Sequence, residues 1–218
     1  MTELVTLPVL KDNYAFLLHD EASSSTALVD IPEHGPIVAE LDKRGWALTD
    51  IWITHHHWDH IDGLASLLDA CAERGWTPRV VAATADMHRL PADLITHQVA
   101  DGDTFTLADM PVQIIDVPGH TVGHIALYLP TADILFTADS LMALGCGRLF
   151  EGTPAQMWDS LQKLRALPKQ TIVCSGHEYT QSNAKFALTV DPDNAALQQR
   201  ATDITLARAK DLPTVPST

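Results

Sequence analysis

Between Thr54 and His60 the chain reads Thr-His-His-His-Trp-Asp-His, which places four side chains able to hold a divalent metal (His55, His57, Asp59 and His60) within six residues. Neutral imidazole nitrogens suit borderline metals, and a carboxylate supplies charge against the dication. At this spacing no regular helix or strand fits between the candidate ligands, so the segment is expected to be a loop. Folded back on itself, such a loop directs His55 and His57 toward one ion and Asp59 and His60 toward a neighbour. The blander alternative is a solvated polar loop. A chance H-x-H-x-D-H is rare enough to set that alternative aside.

Three further residues extend the pattern. His120 sits in Pro118-Gly119-His120-Thr121, directly after the apolar run Val112–Val117. Asp139 follows Ile134–Ala138, and His177 comes two residues after Thr171–Ser175, in Ser175-Gly176-His177-Glu178. Each candidate therefore lies just beyond the C-terminal end of a β run, as does the His55–His60 segment. Loops of that kind gather at one edge of a sheet, where α/β proteins build their sites. Alone, His120 or His177 would more often be a satisfied structural histidine. Together, four segments agree. His19, His34, His56, His88, His97 and His124 lack such support, and His124 is expected in an ordinary hydrogen-bonding role. Trp46, Trp52, Trp76 and Trp158 read as core, and Trp58 stays open.

The elements needed to position these loops are visible as short strands and amphipathic helices. Strands are expected at Glu3–Leu10, Tyr14–His19, Thr26–Ile31 and Asp50–Thr54, then at Val112–Val117, Ile125–Leu129, Ile134–Ala138 and Thr171–Ser175. A helix is expected over about Pro36–Arg44 with Gly45 as its stop. A second follows from Leu64, Leu67, Leu68 and Cys71, which repeat at i, i+3, i+4 and i+7. Thr153, Pro154 and Gln156 form a helix start with Thr at N-cap, Pro at N1 and Gln at N3. The segment from Tyr179 to Lys210 reads as helices, and the two-proline finish DLPTVPST as a loop. Strands and helices in this order predict an α/β layered sandwich with a small helical appendage after about residue 175.

The whole composition fits that picture. With 218 residues, 46% apolar and 19% charged, the chain can bury one substantial core. The longest apolar runs are strand-sized, too short to cross a bilayer, so no membrane association is expected. The start MTELVTLPVLKDNY has neither a basic cluster nor an unbroken apolar stretch, so no secretory signal is read and a cytoplasmic location is expected. Cys71, Cys146 and Cys174 are widely spaced without a CxxC pair, which fits a reducing compartment. A net charge of −14 argues against nucleic-acid partners, and it would repel an anionic substrate unless bound cations reverse the field locally.

THHHWDH, PGHTVGH and the isolated Asp139 and His177 resemble the metal-binding signature of the metallo-β-lactamase superfamily. The resemblance implies that superfamily's four-layer αββα sandwich as a catalytic domain over residues 1–175. Residues 176–218 would then form a helical substrate-binding region, shortened relative to the family. At Gly145-Cys146-Gly147-Arg148-Leu149-Phe150-Glu151-Gly152-Thr153 and Gly176-His177-Glu178-Tyr179-Thr180 the chain is similar to the substrate-loop and final-ligand motifs of glyoxalase II, the hydroxyacylglutathione hydrolases. The similarity runs from the first strands to about residue 195. It implies that His55, His57 and His120 hold one ion, that Asp59, His60 and His177 hold a second, and that Asp139 bridges the two. Zinc is the first expectation for both ions, with iron and manganese as the family's other options. Asp59 could also orient the attacking water or accept its proton.

The implied reaction is hydrolysis of an S-2-hydroxyacylglutathione, such as S-D-lactoylglutathione, by a monomer. Arg148 matches a basic residue that meets a glutathione carboxylate in the family, and Tyr179 matches a tyrosine reaching the same moiety. Phe150 stands where some relatives have tyrosine and keeps only an apolar contact. Relatives usually carry further basic residues in a helical stretch beyond this point, so KM is expected to be raised more than kcat is lowered. Two other readings stand beside this one: a persulfide dioxygenase using one iron and O₂, and a non-catalytic relative retaining the fold. The Gly145–Thr153 segment and the full ligand set favour hydrolysis. A true β-lactamase fits less well, because Asp139 stands where those enzymes commonly have cysteine or another residue.

Overall fold

A computed structural model describes residues 1–218 of the chain. The first half forms a six-stranded sheet from β1 (Thr2–Val9), β2 (Asn13–Asp20), β3 (Ser25–Val29), β4 (Asp50–Trp52), β5 (Arg79–Ala83) and β6 (His97–Val99), in that spatial order. The second sheet is built from β7 (Thr104–Leu107), β8 (Met110–Asp116), β9 (Ile125–Leu129), β10 (Ile134–Ala138) and, after the small hairpin β11 (Leu141–Met142) and β12 (Gly145–Cys146), β13 (Ile172–Ser175). Its spatial order is β13-β10-β9-β8-β7. β9, β10 and most of β2 are buried along their whole length, because both faces are covered.

The helices complete the layers. α1 (His34–Arg44), the single turn α2 (Trp58–Ile61) and α3 (Leu64–Glu73) come from the first half. Ile37, Leu41, Leu64, Leu67 and Cys71 from α1 and α3 pack with Leu17, Leu28 and Ile51 on one outer face. α4 (Pro154–Arg165) covers the opposite outer face through Leu164, against Ala126, Tyr128 and Leu135. Between the sheets lies the main core, where Phe136 meets Phe16 and Trp52 at ring separations of 5.7 Å and 6.2 Å. The result is an αββα sandwich. α5 (Thr180–Val190) and α6 (Ala195–Arg208) pack on each other after the last strand. No helix is long and apolar enough to cross a membrane.

Strand direction explains why the loops bearing the candidate residues meet. β3, β4, β5 and β6 pair in parallel, so their C-terminal ends share one edge. β10 pairs in parallel with β13, and β8 runs the same way because β9 is antiparallel to both of its neighbours. The two edges are laced together by Tyr14 N–H to Gly176 O (2.8 Å) and Ile125 N–H to Thr54 O (3.0 Å).

Most expected elements form with small boundary shifts. Ile125–Leu129 and Ile134–Ala138 match, and Gly45 ends α1 in the left-handed region at φ 68°. Thr153 and Gln156 exchange both bonds of a capping box at the start of α4. Thr153→Ala should therefore cost about 1 kcal/mol of stability, read as a lower denaturant midpoint at unchanged slope.

Three expectations are corrected. Trp158, expected in the core, is 58% exposed on α4. The histidine-rich segment is not all loop: Trp58–Ile61 closes a helical turn, so Asp59 and His60 project from helical backbone. Asp62 N–H bonding Trp58 O at 2.8 Å fixes that turn. The two-proline finish is not a free loop either. Val215 is buried in the intersheet core, and Ser217 pairs with Val173 on the open edge of β13 by bonds of 2.7 Å and 3.0 Å. Prolines forbid a regular strand there, but a single bridge just after Pro216 is enough to dock the segment. The sequence reading also omitted β5, β6 and β7, whose short runs lie among polar residues.

Candidate functional site

His55 follows β4, His120 follows β8, Asp139 follows β10 and His177 follows β13, so the strand ends deliver the candidates to one place. Ligand-capable atoms converge in three overlapping groups, each within 4.8 Å: His55, His57 and His120; His55, His60 and Asp139; and Asp59, His60 and His177. Asp139 sits centrally, with Oδ2 3.3 Å from both His120 Nε2 and His177 Nε2 and Oδ1 3.5 Å from His60 Nε2. Its backbone approach is unusual. Ala138 holds a left-handed φ of 40°, beside a register break in β10, which turns Asp139 inward.

The outward nitrogens of four histidines are already engaged. His60 Nδ1 donates to Asp30 Oδ2 at 2.7 Å, and His177 Nδ1 to Asp12 Oδ1 at 3.1 Å. His120 Nδ1 donates to the Arg148 carbonyl at 2.8 Å. The Thr54 hydroxyl gives its proton to Asp30 (2.9 Å), so it accepts from His55 Nδ1 at 3.0 Å. This is the arrangement that holds metal-ligating imidazoles, one nitrogen fixed from behind and the other presented to the ion. His57 presents Nδ1 instead, 2.9 Å from His120 Nε2.

Inside the ring of ligands, His55 Nε2, His60 Nε2 and Asp139 Oδ1 are buried without any hydrogen-bond partner. Buried polar atoms without a partner are costly, and three of them aimed at one region need a shared one. The residues present fit metal ions as that partner.

The electrostatics agree. Burial and the neighbouring His120 hold His57 down to about 4, so its lone pair is free at neutral pH. Burial also lowers His60, but Asp139 and Asp30 outweigh it and lift the metal-free ring to about 9. A cation entering there must displace a proton. Asp139 is buried too, yet His60, His177 and His120 hold it well below the usual carboxylate range.

Glycines make the close packing possible. A Cβ on Gly147 would overlap the Asp139 carbonyl oxygen, and one on Gly176 would lie 2.7 Å from Asp139 Oδ1. The ligands open onto a cavity of about 710 Å³ lined also by Trp58, Met142, Cys146, Arg148, Phe150, Tyr179 and Asn183. Tyr179 stacks on His177 with ring centroids 4.7 Å apart and planes 10° from parallel. Phe150 is 63% exposed at the mouth, edge-on to His57 and His120.

Residues 20–177 match the family model described as the metallo-beta-lactamase superfamily, and residues 178–218 match the hydroxyacylglutathione hydrolase C-terminus. A hydroxyacylglutathione hydrolase from Ruegeria pomeroyi is 63% identical over 99% of this chain and 82% of its own length. Another from Jannaschia sp. is 56% identical over the same shares. The chain belongs to the hydroxyacylglutathione hydrolase family. Among solved structures, TTHA1623 in a di-iron-bound form superposes with TM-score 0.66 at 25% identity, covering 80% of this chain and 91% of that one.

In this member of the family the sequence reading overlooked the groups behind the ligands. Asp30 is buried after β3 and also accepts from the Thr54 N–H at 2.9 Å. The strand expected over Thr26–Ile31 enclosed Asp30, whereas β3 ends at Val29 and leaves it beyond the strand end, where Asp139 also stands after its own strand. Asn13 donates to Asp59 Oδ2 at 3.0 Å, and Asp12 backs His177. Neither carries a local signature. His124 does form ordinary hydrogen bonds, donating to Ile125 O and accepting from the Asp139 N–H at 3.3 Å, while stacked on His55 at 4.5 Å.

Proposed function

We propose that the chain hydrolyses S-2-hydroxyacylglutathione thioesters, such as S-D-lactoylglutathione, to glutathione and a 2-hydroxy acid at two divalent metal ions. His55, His57 and His120 would hold one ion, Asp59, His60 and His177 the other, and Asp139 both. Zinc is the first choice, with iron or manganese as alternatives; the donors are nitrogen and oxygen without thiolate, which suits any of them. The observation that carries the reading is the trio of buried orphan atoms at the floor of a cavity whose rim offers Arg148, Phe150 and Tyr179. The names of the relatives, and the di-iron form of TTHA1623, support it.

When bound, such a pair supplies a water with a pKa lowered to about 7 and polarises a carbonyl oxygen. The residues of the chain do the rest. Asn13 fixes the Asp59 carboxylate from behind, holding it where it can orient a water or take its proton. Arg148 lies exposed at the cavity and gives a glutathione carboxylate a cationic partner within a chain of net charge −14. Tyr179 offers a hydroxyl from the start of α5, and Phe150 an apolar face. The departing glutathione thiolate needs little acid help, because its conjugate acid has a pKa near 8.5 as for a free cysteine. Residues 1–175 thus serve as the catalytic domain and 176–218 as a helical substrate-binding region, in a cytoplasmic monomer.

Arg148→Ala should raise KM about tenfold while kcat changes by less than about threefold, since a charge-assisted contact to a non-reacting part of the substrate is lost. Steady-state kinetics at the thioester absorbance band check this. Repeating the assay without oxygen tests the reaction class. Hydrolysis at an undiminished rate supports the proposal, whereas dependence on O₂ with a glutathione persulfide would replace it by a persulfide dioxygenase.

A further inference from the structure

Glu151 immediately follows Phe150 on the loop that also carries Arg148, yet its carboxylate is engaged away from the cavity. Oε2 accepts the Val122 N–H at 2.9 Å, and Oε1 pairs with the Arg89 guanidinium. Arg89 Nη1 in turn lies 3.0 Å from His56 Nε2. The other ring nitrogen, His56 Nδ1, is 3.0 Å from both oxygens of Asp86, which is 1% exposed. An arginine can only donate and a carboxylate can only accept. Asp86 therefore accepts from His56 Nδ1, while His56 Nε2 faces both Arg89 and, at 3.5 Å, Glu151 Oε1. The chain Asp86–His56–Arg89–Glu151–Val122 is a continuous set of donors and acceptors.

It spans three loops that the site needs in register. His56 sits between the candidate ligands His55 and His57. Val122 belongs to the loop of His120, and a Cβ on Gly123 beside it would overlap Asp86 Oδ1. The loop of Arg148 and Phe150 is tied by its backbone to the His120 loop, through His120 Nδ1–H to Arg148 O (2.8 Å), Phe150 N–H to His120 O (3.2 Å) and Gly152 N–H to Gly119 O (3.0 Å), and to Ser140 through the Gly147 N–H (3.3 Å). Besides the edge-on contact of Phe150 with His57, the Glu151–Arg89–His56 tie is its polar connection to the His55–His60 segment, with Glu151 Oε1 also 3.5 Å from His56 Nε2.

We infer that Glu151, anchored through Arg89 and His56 on buried Asp86, is a positioning residue that sets the height of Arg148 and Phe150 above the ligand cluster and so governs glutathione affinity. The inference deepens the proposed thioester hydrolysis and rests on it. Glu151 touches neither ligand atoms nor cavity, so its loss should act on binding and leave the metal-holding groups alone.

The test uses metal-loaded full-length chain with Glu151→Ala, Arg89→Ala and both together. For each single variant, KM for S-D-lactoylglutathione and the calorimetric Kd for glutathione should rise about tenfold, the effect of losing one charge-assisted tie. Metal content should match the parent, kcat should fall by less than about threefold, and the double variant should be no worse than either single one. Glu151→Gln keeps an oxygen for the Val122 N–H and should recover part of the affinity; it also carries the comparison should Glu151→Ala fail to fold. Unchanged KM and Kd in the single variants, or a loss confined to kcat and metal content, would overturn the inference. A parent protein that binds glutathione but leaves the thioester intact would remove the hydrolase reading instead, and the Kd comparison would still decide the role of Glu151.

Discussion

Replacing Asp139 with alanine should lower turnover of S-D-lactoylglutathione by on the order of 10³ or more, the scale on which single charged groups act at reaction centres. The carboxylate stands within 3.5 Å of His60, His120 and His177 and is the only one that faces both halves of the ligand cluster. Without it, His55, His57 and His120 keep no carboxylate, Asp59 alone remains beside His60 and His177, and neither half keeps a complete donor set. Metal content should fall together with activity, measured by elemental analysis after dialysis. Asp139→Asn keeps the shape and one acceptor oxygen but not the charge, and should still lose most of the turnover. Full activity and full metal content in Asp139→Ala would be incompatible with the ligand assignment.

Asp30→Ala is expected to be nearly as damaging, although Asp30 does not reach the cavity. It is 2% exposed and accepts bonds from the Thr54 N–H, the Thr54 hydroxyl and His60 Nδ1. Truncation leaves three buried donors unpaired and an alanine at φ 60°, together costing about 3 kcal/mol of stability. His60 and His55 both lose their orientation, directly and through Thr54. Metal affinity should fall about 10- to 100-fold, the usual effect of removing a group that holds a ligand from behind. Activity at saturating metal should then recover in a way that Asp139→Ala cannot match. A competition titration against a chromophoric chelator measures the affinity, and an unchanged value would show that Asp30 does not orient the ligands.

The ligand cluster was legible in the sequence because its signal is local twice over. Four candidates lie within six residues, and His120, Asp139 and His177 each stand just beyond a recognisable apolar strand. The strand directions that bring those loops together follow from the parallel pairing of β10 with β13 and of β3 to β6. The capping box of α4 was equally readable, since Thr153, Pro154 and Gln156 declare it in four positions. What stayed hidden depends on contacts between distant segments. Asp12 and Asn13 reach the site only because β1 and β2 fold back beside β13, and nothing around them marks them. Asp86 lies in a short polar turn whose partner, His56, is 30 residues away. The turn of Trp58–Ile61 was missed because ligand spacing speaks about metals, not about backbone. The docking of Val215 and Ser217 was missed because proline masks a strand-like contact.

The most direct test of the account is hydrolysis of S-D-lactoylglutathione by the same preparation as isolated, after chelation, and after metal is restored. Hydrolysis at a metal centre requires disappearance of the thioester absorbance in the first and third states and near silence in the second, with two metal ions per chain accompanying the active states. A metal-loaded protein that leaves the thioester intact, or a chelated protein that is equally active, would contradict it.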